Sequence, residues 1–205
     1  MLQVLTVAIP VVYLDQLVKI YVKLNFALGE RVVWWRGVFD LQFIENEGMA
    51  FGWMLPGIWG KLLLTGFRIG AVGLLWYYIR KLTAEGLSRG LRISLALVLA
   101  GAAGNILDSL YYGQLFTVST FATPAVVALG DAGRVGYAAW LQGNVVDMFH
   151  IAVRFPDWFP VESWAGREVF PPIFNVADMA ITFGVAGAIL AQWRARPNRP
   201  AGESA

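Results

Sequence analysis

Apolar residues run almost unbroken through four stretches, roughly residues 2–22, 58–80, 92–112 and 173–193. A helix needs about 20 mostly apolar residues to cross a hydrocarbon core about 30 Å thick, so each stretch predicts a membrane span. Between the first two the pattern changes. From Val38 to Ile44 the chain alternates, with Phe39, Leu41 and Phe43 set against Asp40 and Gln42, the period of a half-buried strand. Glu45-Asn46-Glu47-Gly48 then turns the chain, and Trp34, Trp35, Trp53 and Trp59 are side chains suited to the headgroup level. The pattern predicts an all-α membrane protein: one domain over residues 1–205, with four transmembrane helices and a small extracytoplasmic β-sheet in the first outer loop, residues 23–57. Such a sheet is either a packing cap over the bundle or a platform for an extended peptide, since strand addition works through main-chain hydrogen bonds.

The second outer loop, residues 113–172, is less regular. Residues 113–143 are glycine-rich and mildly apolar, compatible with a lid, a re-entrant segment or an interfacial helix. Trp158, Trp164, Pro156 and Pro160 mark the remainder as irregular and interfacial, and Pro171-Pro172 stands where a helix can start. Arg80, Lys81, Arg89 and Arg92 crowd the link between spans two and three, and Arg194, Arg196 and Arg199 follow span four. The positive-inside rule puts that link and both termini in the cytoplasm and both long loops outside. Met1-Leu2-Gln3 carries no positive charge and Asp15 and Lys19 interrupt the first run, so that run is expected to be a retained span rather than a leader.

Composition narrows the chemistry. Of 205 residues, 58% are hydrophobic and only 15% are charged, which fits a bilayer protein better than a soluble domain. The net charge of +2 is a matter of topology and implies no nucleic acid. There is no cysteine, which excludes disulfides and thiolate catalysis. One histidine, His150, and no His-Glu-x-x-His pattern make a metal site unexpected, and no cofactor is expected.

The polar residues inside the spans carry the rest. Asp178 lies in the first turns of span four, and a carboxylate there costs at least about 2.5–3.5 kcal/mol on insertion scales. Alone it could be a structural hydrogen-bonding group; Asp147 on the preceding loop makes a pair conceivable. Asp15 and Lys19, four residues apart, share a helix face and form either a buried structural pair or part of a reaction centre. Span two carries Lys61 and Arg68 and no acid, and is assigned a scaffold role. Gly101, Asn105 and Ser109 line one face of span three, with Asp108 close by; small residues there permit close helix approach. At about 1.5 Å per residue, Asp15 lies about 20 Å from the cytoplasmic end of span one. Asn105 and Asp108 lie about 18–22 Å up span three, and Asn175 and Asp178 within about 8 Å of the outer start of span four. This shared depth predicts one polar pocket near the outer leaflet, open sideways to membrane lipid or upward to water. Neighbouring carboxylates share a proton because both cannot readily ionise: one takes a proton from water, the other hydrogen-bonds a scissile carbonyl.

Five short motifs now fall in order: Asp15-Gln16-x-x-Lys19, Asn46-x-Gly48-x-Ala50-Phe51, Gly104-Asn105-x-x-Asp108, Val145-Val146-Asp147 and Phe174-Asn175-x-Ala177-Asp178. Together they resemble the lipoprotein signal peptidases, or signal peptidase II, of the bacterial inner membrane. The resemblance implies an aspartic endopeptidase that removes the signal peptide from diacylglyceryl-modified prolipoproteins, cutting before the lipidated cysteine. It implies that Asp147 and Asp178 are the catalytic aspartates, that Asn46, Gly101, Asn105 and Asn175 line the site, and that Asp15 and Asp108 support it. A monomer is expected. Two departures stand out: Ser109 occupies a position where the family usually has Arg, with Arg154 and Arg134 as candidate substitutes, and the segment between Asp108 and Asp147 is long. The competing reading is a small transporter or proton relay using Asp15, Asp108 and Asp178; against it, the acids share one depth instead of stepping across the membrane.

Overall fold

A computed structural model describes residues 1–47, 57–129 and 133–195. Gly48, Ala50, Phe51, Trp53, Arg196 and Arg199 lie outside the described residues. Four helices are long and apolar enough to cross a membrane. They are α1 (Leu2–Asn25), α2 (Gly57–Ala84), α3 (Arg89–Leu107) and α4 (Val176–Ala195). Their outward faces carry large apolar side chains such as Ile9, Leu63, Phe67, Phe183 and Ile189, as a lipid-facing surface requires. Ser88 caps α3, its hydroxyl accepting from the Leu91 amide at 3.4 Å.

The bundle is held by small residues more than by interdigitated large ones. α3 packs closely against α4 and α1, while α2 packs on α3 and joins Val4 of α1 in a buried apolar cluster through Ile79. The Gly101 α-carbon faces the α4 backbone so closely that an added Cβ would stand 2.2 Å from the Ala177 carbonyl oxygen. Gly184 makes the reciprocal approach from α4, where a Cβ would meet the Ser94 carbonyl oxygen at 2.6 Å. Close backbone approach of this kind is how helices associate where lipid removes the usual hydrophobic driving force. At the end of α3 the helix widens into a π-turn, Asp108–Tyr112, before a last α-turn, Gly113–Leu115.

The sheet differs from the sequence expectation in an informative way. It is a four-stranded antiparallel sheet in sequential order, with β1 (Arg31–Trp35) and β2 (Phe39–Asn46) from the loop between α1 and α2 and β3 (Val145–Arg154) and β4 (Glu168–Phe174) from the loop between α3 and α4. Half of it therefore comes from residues expected to be irregular. Pro171 and Pro172 lie within β4 and α4 starts at Val176; as an edge strand β4 tolerates missing amide donors. The core joining sheet to bundle contains Val22 of α1, Phe43 of β2, Tyr112 and Phe116 beyond α3, and Val146 and Met148 of β3.

The segment after α3 forms a cap over the C-terminal end of α1. Its backbone bonds include Leu28 N–H to the Thr120 carbonyl at 2.8 Å and Ala125 N–H to the Lys23 carbonyl at 3.2 Å, with an isolated bridge between Phe116 and Val127. Among its described residues it forms no further helix past Leu115.

Candidate active site

The polar residues converge where the start of α4 meets β3 and the C-terminal ends of α1 and α3. Asn175 organises this point. It precedes α4 and forms a reciprocal cap with Asp178: the Asp178 amide donates to Asn175 Oδ1 at 2.9 Å and the Asn175 amide to Asp178 Oδ2 at 3.3 Å. Such a box satisfies amides that a helix start leaves without intrahelical partners. The Asn175 side chain also donates to Asp147 Oδ1 at 2.6 Å. One residue thus touches both candidate carboxylates, one from β3 and one from α4.

Each carboxylate has a further donor. Asn105 Nδ2 donates to Asp178 Oδ1 at 2.9 Å, and Asn46 Nδ2 donates to Asp147 Oδ2 at 3.3 Å. The register explains the second contact. Asp147 pairs with Ile44 and Val145 with Asn46, so Asn46 is the diagonal neighbour of Asp147 on one face of the sheet. Asn105 is oriented from behind: Lys19 Nζ donates to its Oδ1 at 2.8 Å, which turns the amide nitrogen toward Asp178.

Lys19 is fully enclosed, and its three protons meet Asp15 at 2.9 Å, Asp108 at 2.8 Å and Asn105. Asp15 in turn accepts the Ala177 amide at 2.8 Å, tying α1 to the first turn of α4. Asp108 accepts from Gln16 at 2.8 Å and from the Val146 amide at 3.3 Å, so the π-turn grips β3 next to Asp147. Gly143 presses into the same turn: its amide donates to the Ser109 carbonyl at 2.9 Å, and a Cβ there would stand 2.0 Å from the Asp108 carbonyl oxygen. Asp15 and Asp108 both meet at Lys19 and do not form a file across the membrane.

Burial pushes the Asp147 carboxyl up to about 7, and the nearby Asp178 carboxylate adds to the rise, while the Asn46 and Asn175 amides oppose it. At neutral pH the Asp147 carboxyl therefore holds or releases its proton at little cost. A cavity of about 390 Å³ opens between α2, α3 and α4, lined by Arg68, Asn105 and Asp178 at its polar end and by residues such as Leu75, Val98 and Ile181 elsewhere. A hollow of about 420 Å³ between α1 and α3, lined by Ile9, Leu99 and Gln16 among others, holds no acid.

Among the expected site residues, Asp15, Asn46, Asn105, Asp108, Asp147, Asn175 and Asp178 form one hydrogen-bonded network. Gly101 stands apart from it: its contact is with the α4 backbone at Ala177 and with Ile181, where it sets the helix spacing. Ser109, in place of the expected Arg, donates to the Asn105 carbonyl at 3.2 Å. Arg154 pairs with Glu168 at 3.2 Å toward the far end of β3, and Arg134 donates to the Val127 carbonyl at 3.4 Å.

One cluster escaped the sequence reading. Lys23 donates to Glu45 at 2.5 Å and to Ser119 at 3.1 Å, and Asn144 donates to Glu45 at 3.0 Å. Burial would raise the Glu45 carboxyl, but the Lys23 ammonium, with Ser119 and Asn144, holds it below its ordinary value. The spacing Asp15, Lys19, Lys23 puts three charges on one helix face. A second cation on that face calls for an acid from outside the helix, and that was the available signal.

With this geometry in hand, likeness to known proteins is decisive. Residues 7–194 match the model of the family described as signal peptidase (SPase) II. The chain belongs to the signal peptidase II family. It is 40% identical over 179 residues to a lipoprotein signal peptidase of Porphyromonas gingivalis, covering 83% of this chain and 74% of that one. It is 34% identical over 191 residues to a lipoprotein signal peptidase of Amoebophilus asiaticus, covering 90% and 75%. In fold it is similar to a bacterial membrane enzyme solved at 2.3 Å, with a TM-score of 0.62 at 20% identity over 98% of this chain and 94% of that one. Membership in signal peptidase II makes the chain a protease of the bacterial membrane, which leaves the transporter reading without support.

Proposed function

We propose that this signal peptidase II removes the signal peptide from diacylglyceryl-modified prolipoproteins, cutting before the lipidated cysteine, by aspartyl chemistry at Asp147 and Asp178. The observation that carries the reading is Asn175, which donates to Asp147 at 2.6 Å and is locked by a reciprocal cap to Asp178. The names of the relatives support the substrate class.

The reaction follows from a carboxyl pair holding one proton. The ionised carboxylate takes a proton from a water molecule as its oxygen attacks the scissile carbonyl carbon. The protonated partner hydrogen-bonds the carbonyl oxygen and stabilises the tetrahedral adduct. Collapse of the adduct breaks the C–N bond, and a proton passes from the pair to the leaving amine. The two groups titrate together, so acid and base belong to the pair and not to one residue. Asn105, Asn175 and Asn46 fix the carboxylate planes. Asp15, Lys19 and Asp108 hold the elements that carry them. Substrate enters sideways between α2 and α4, with the site near the outer leaflet and both termini cytoplasmic.

Asp147→Asn and Asp178→Asn, tested singly in cells, are expected to accumulate uncut lipidated precursor, with residual cleavage at least about a thousandfold down. Persistence of normal cleavage in either variant would defeat the pair.

A further inference from the structure

Three polar side chains share one face of α2: Lys61, Thr65 and Arg68, at i, i+4 and i+7. Lys61 donates to Asn144 Oδ1 at 2.5 Å and Thr65 to the Leu141 carbonyl at 3.2 Å, so this face is turned toward the segment that leads into Asp147. Arg68, one turn deeper, lines the cavity together with Asn105 and Asp178. α2 holds no acid. The acid on the same cavity wall is Asp178, which belongs to the site network through Asn105 and Asn175.

A cation on a membrane span is costly and is functional by default. A scaffold role would be served by an apolar residue at this position. The rest of the cavity wall is apolar, with Phe67, Val72, Leu75 and Ile181 among its members, and Phe67 at its rim is largely exposed on the apolar outer face of α2. A ligand that fits is a hydrocarbon chain bearing neutral oxygen acceptors at the end nearest the carboxylates. Arginine suits both neighbours at once: its planar fork carries five N–H donors, so one edge can serve a carboxylate and another a ligand oxygen.

Resting on the peptidase reading above, we propose that Arg68 is a substrate-binding residue that donates to the ester carbonyl oxygens of the glyceryl lipid on the substrate cysteine, whose acyl chains occupy the apolar part of the cavity. The cut lies beside the lipidated residue, so these esters arrive next to Asp178. Recognition of the ester oxygens makes the lipid a specificity element and does not involve Arg68 in bond cleavage.

The test uses the purified full chain in a phospholipid-free detergent, so that the substrate supplies the only lipid ester. Two lipopeptides of one sequence are compared, one with ester-linked chains and one with ether-linked chains of equal length. Wild type is expected to cut the ester substrate with a kcat/KM about tenfold or more above the ether substrate, the span expected of a hydrogen bond to a charged group, chiefly through KM. Arg68→Gln is expected to lower kcat/KM for the ester substrate and to reduce the ester-to-ether ratio below about twofold. Arg68→Lys is expected to retain part of the ratio. Equal rates on the two substrates in wild type would overturn the proposal with no variant needed, as would an unchanged ratio in Arg68→Gln. Failure of wild type to cut either lipopeptide would instead sink the peptidase reading.

Discussion

Asn175 makes a demand on single atoms. Its Oδ1 caps α4 and its Nδ2 reaches Asp147, so it joins two elements that have no sequence proximity. Asn175→Ala removes the cap and the bond to Asp147 together. The cap alone is worth about 1 kcal/mol, a modest drop in thermal stability. Misplacing a carboxylate by about 1 Å can cost about a hundredfold in rate. The expected outcome is a cleavage rate down by about that factor in a protein that remains folded, measured by kcat on a lipopeptide alongside thermal unfolding in detergent. Asp15, Asn105, Asp108, Asn175 and Asp178 were legible as single residues because polar groups at similar positions along apolar spans are rare enough to be informative; Asp147, on a loop, was legible through the family motif. Arg68 was legible as a cation on a helix without acids, and the fold places it on one cavity with Asn105 and Asp178.

The elements were legible unevenly. Helices repay local reading: each long apolar run became a span, with ends shifted by a few residues where capping, as at Asn175, decides the first turn. The sheet did not. β3 is central and its first four residues are all buried, so Val145-Val146-Asp147-Met148-Phe149 shows no alternation that would mark a strand, and its partner β2 lies about a hundred residues earlier. Pro171 and Pro172 read as a helix start but occupy an edge strand. Helix spacing also depends on Gly101. Gly101→Ala would push a Cβ against the Ala177 carbonyl, and overpacking of this kind costs about 1–3 kcal/mol. The expected result is a lower unfolding temperature together with reduced cleavage, since Ala177 sits between Asn175 and Asp178. Gly73→Ala on α2, where nothing lies within 4 Å of a new Cβ, is the control and should leave both unchanged.

Across the whole molecule, two outer loops that are separate in sequence fold into one sheet, and that sheet delivers Asp147 to a helix start that presents Asp178. The π-turn at the end of α3 grips β3 through Asp108 and Gly143, so the loop is docked before the reaction begins. The central claim is that the two carboxylates share one proton near neutrality. The measurement that tests it most directly is the pH dependence of kcat/KM on a lipopeptide, for wild type and Asn46→Ala. A carboxyl raised to about 7 holds its proton below that pH and loses it above, so cleavage should fall as pH rises through about 7. The Asn46 amide favours the ionised form of Asp147; without it the fall should move to higher pH. A rate that stays flat or keeps rising to pH 9 in wild type would contradict the account.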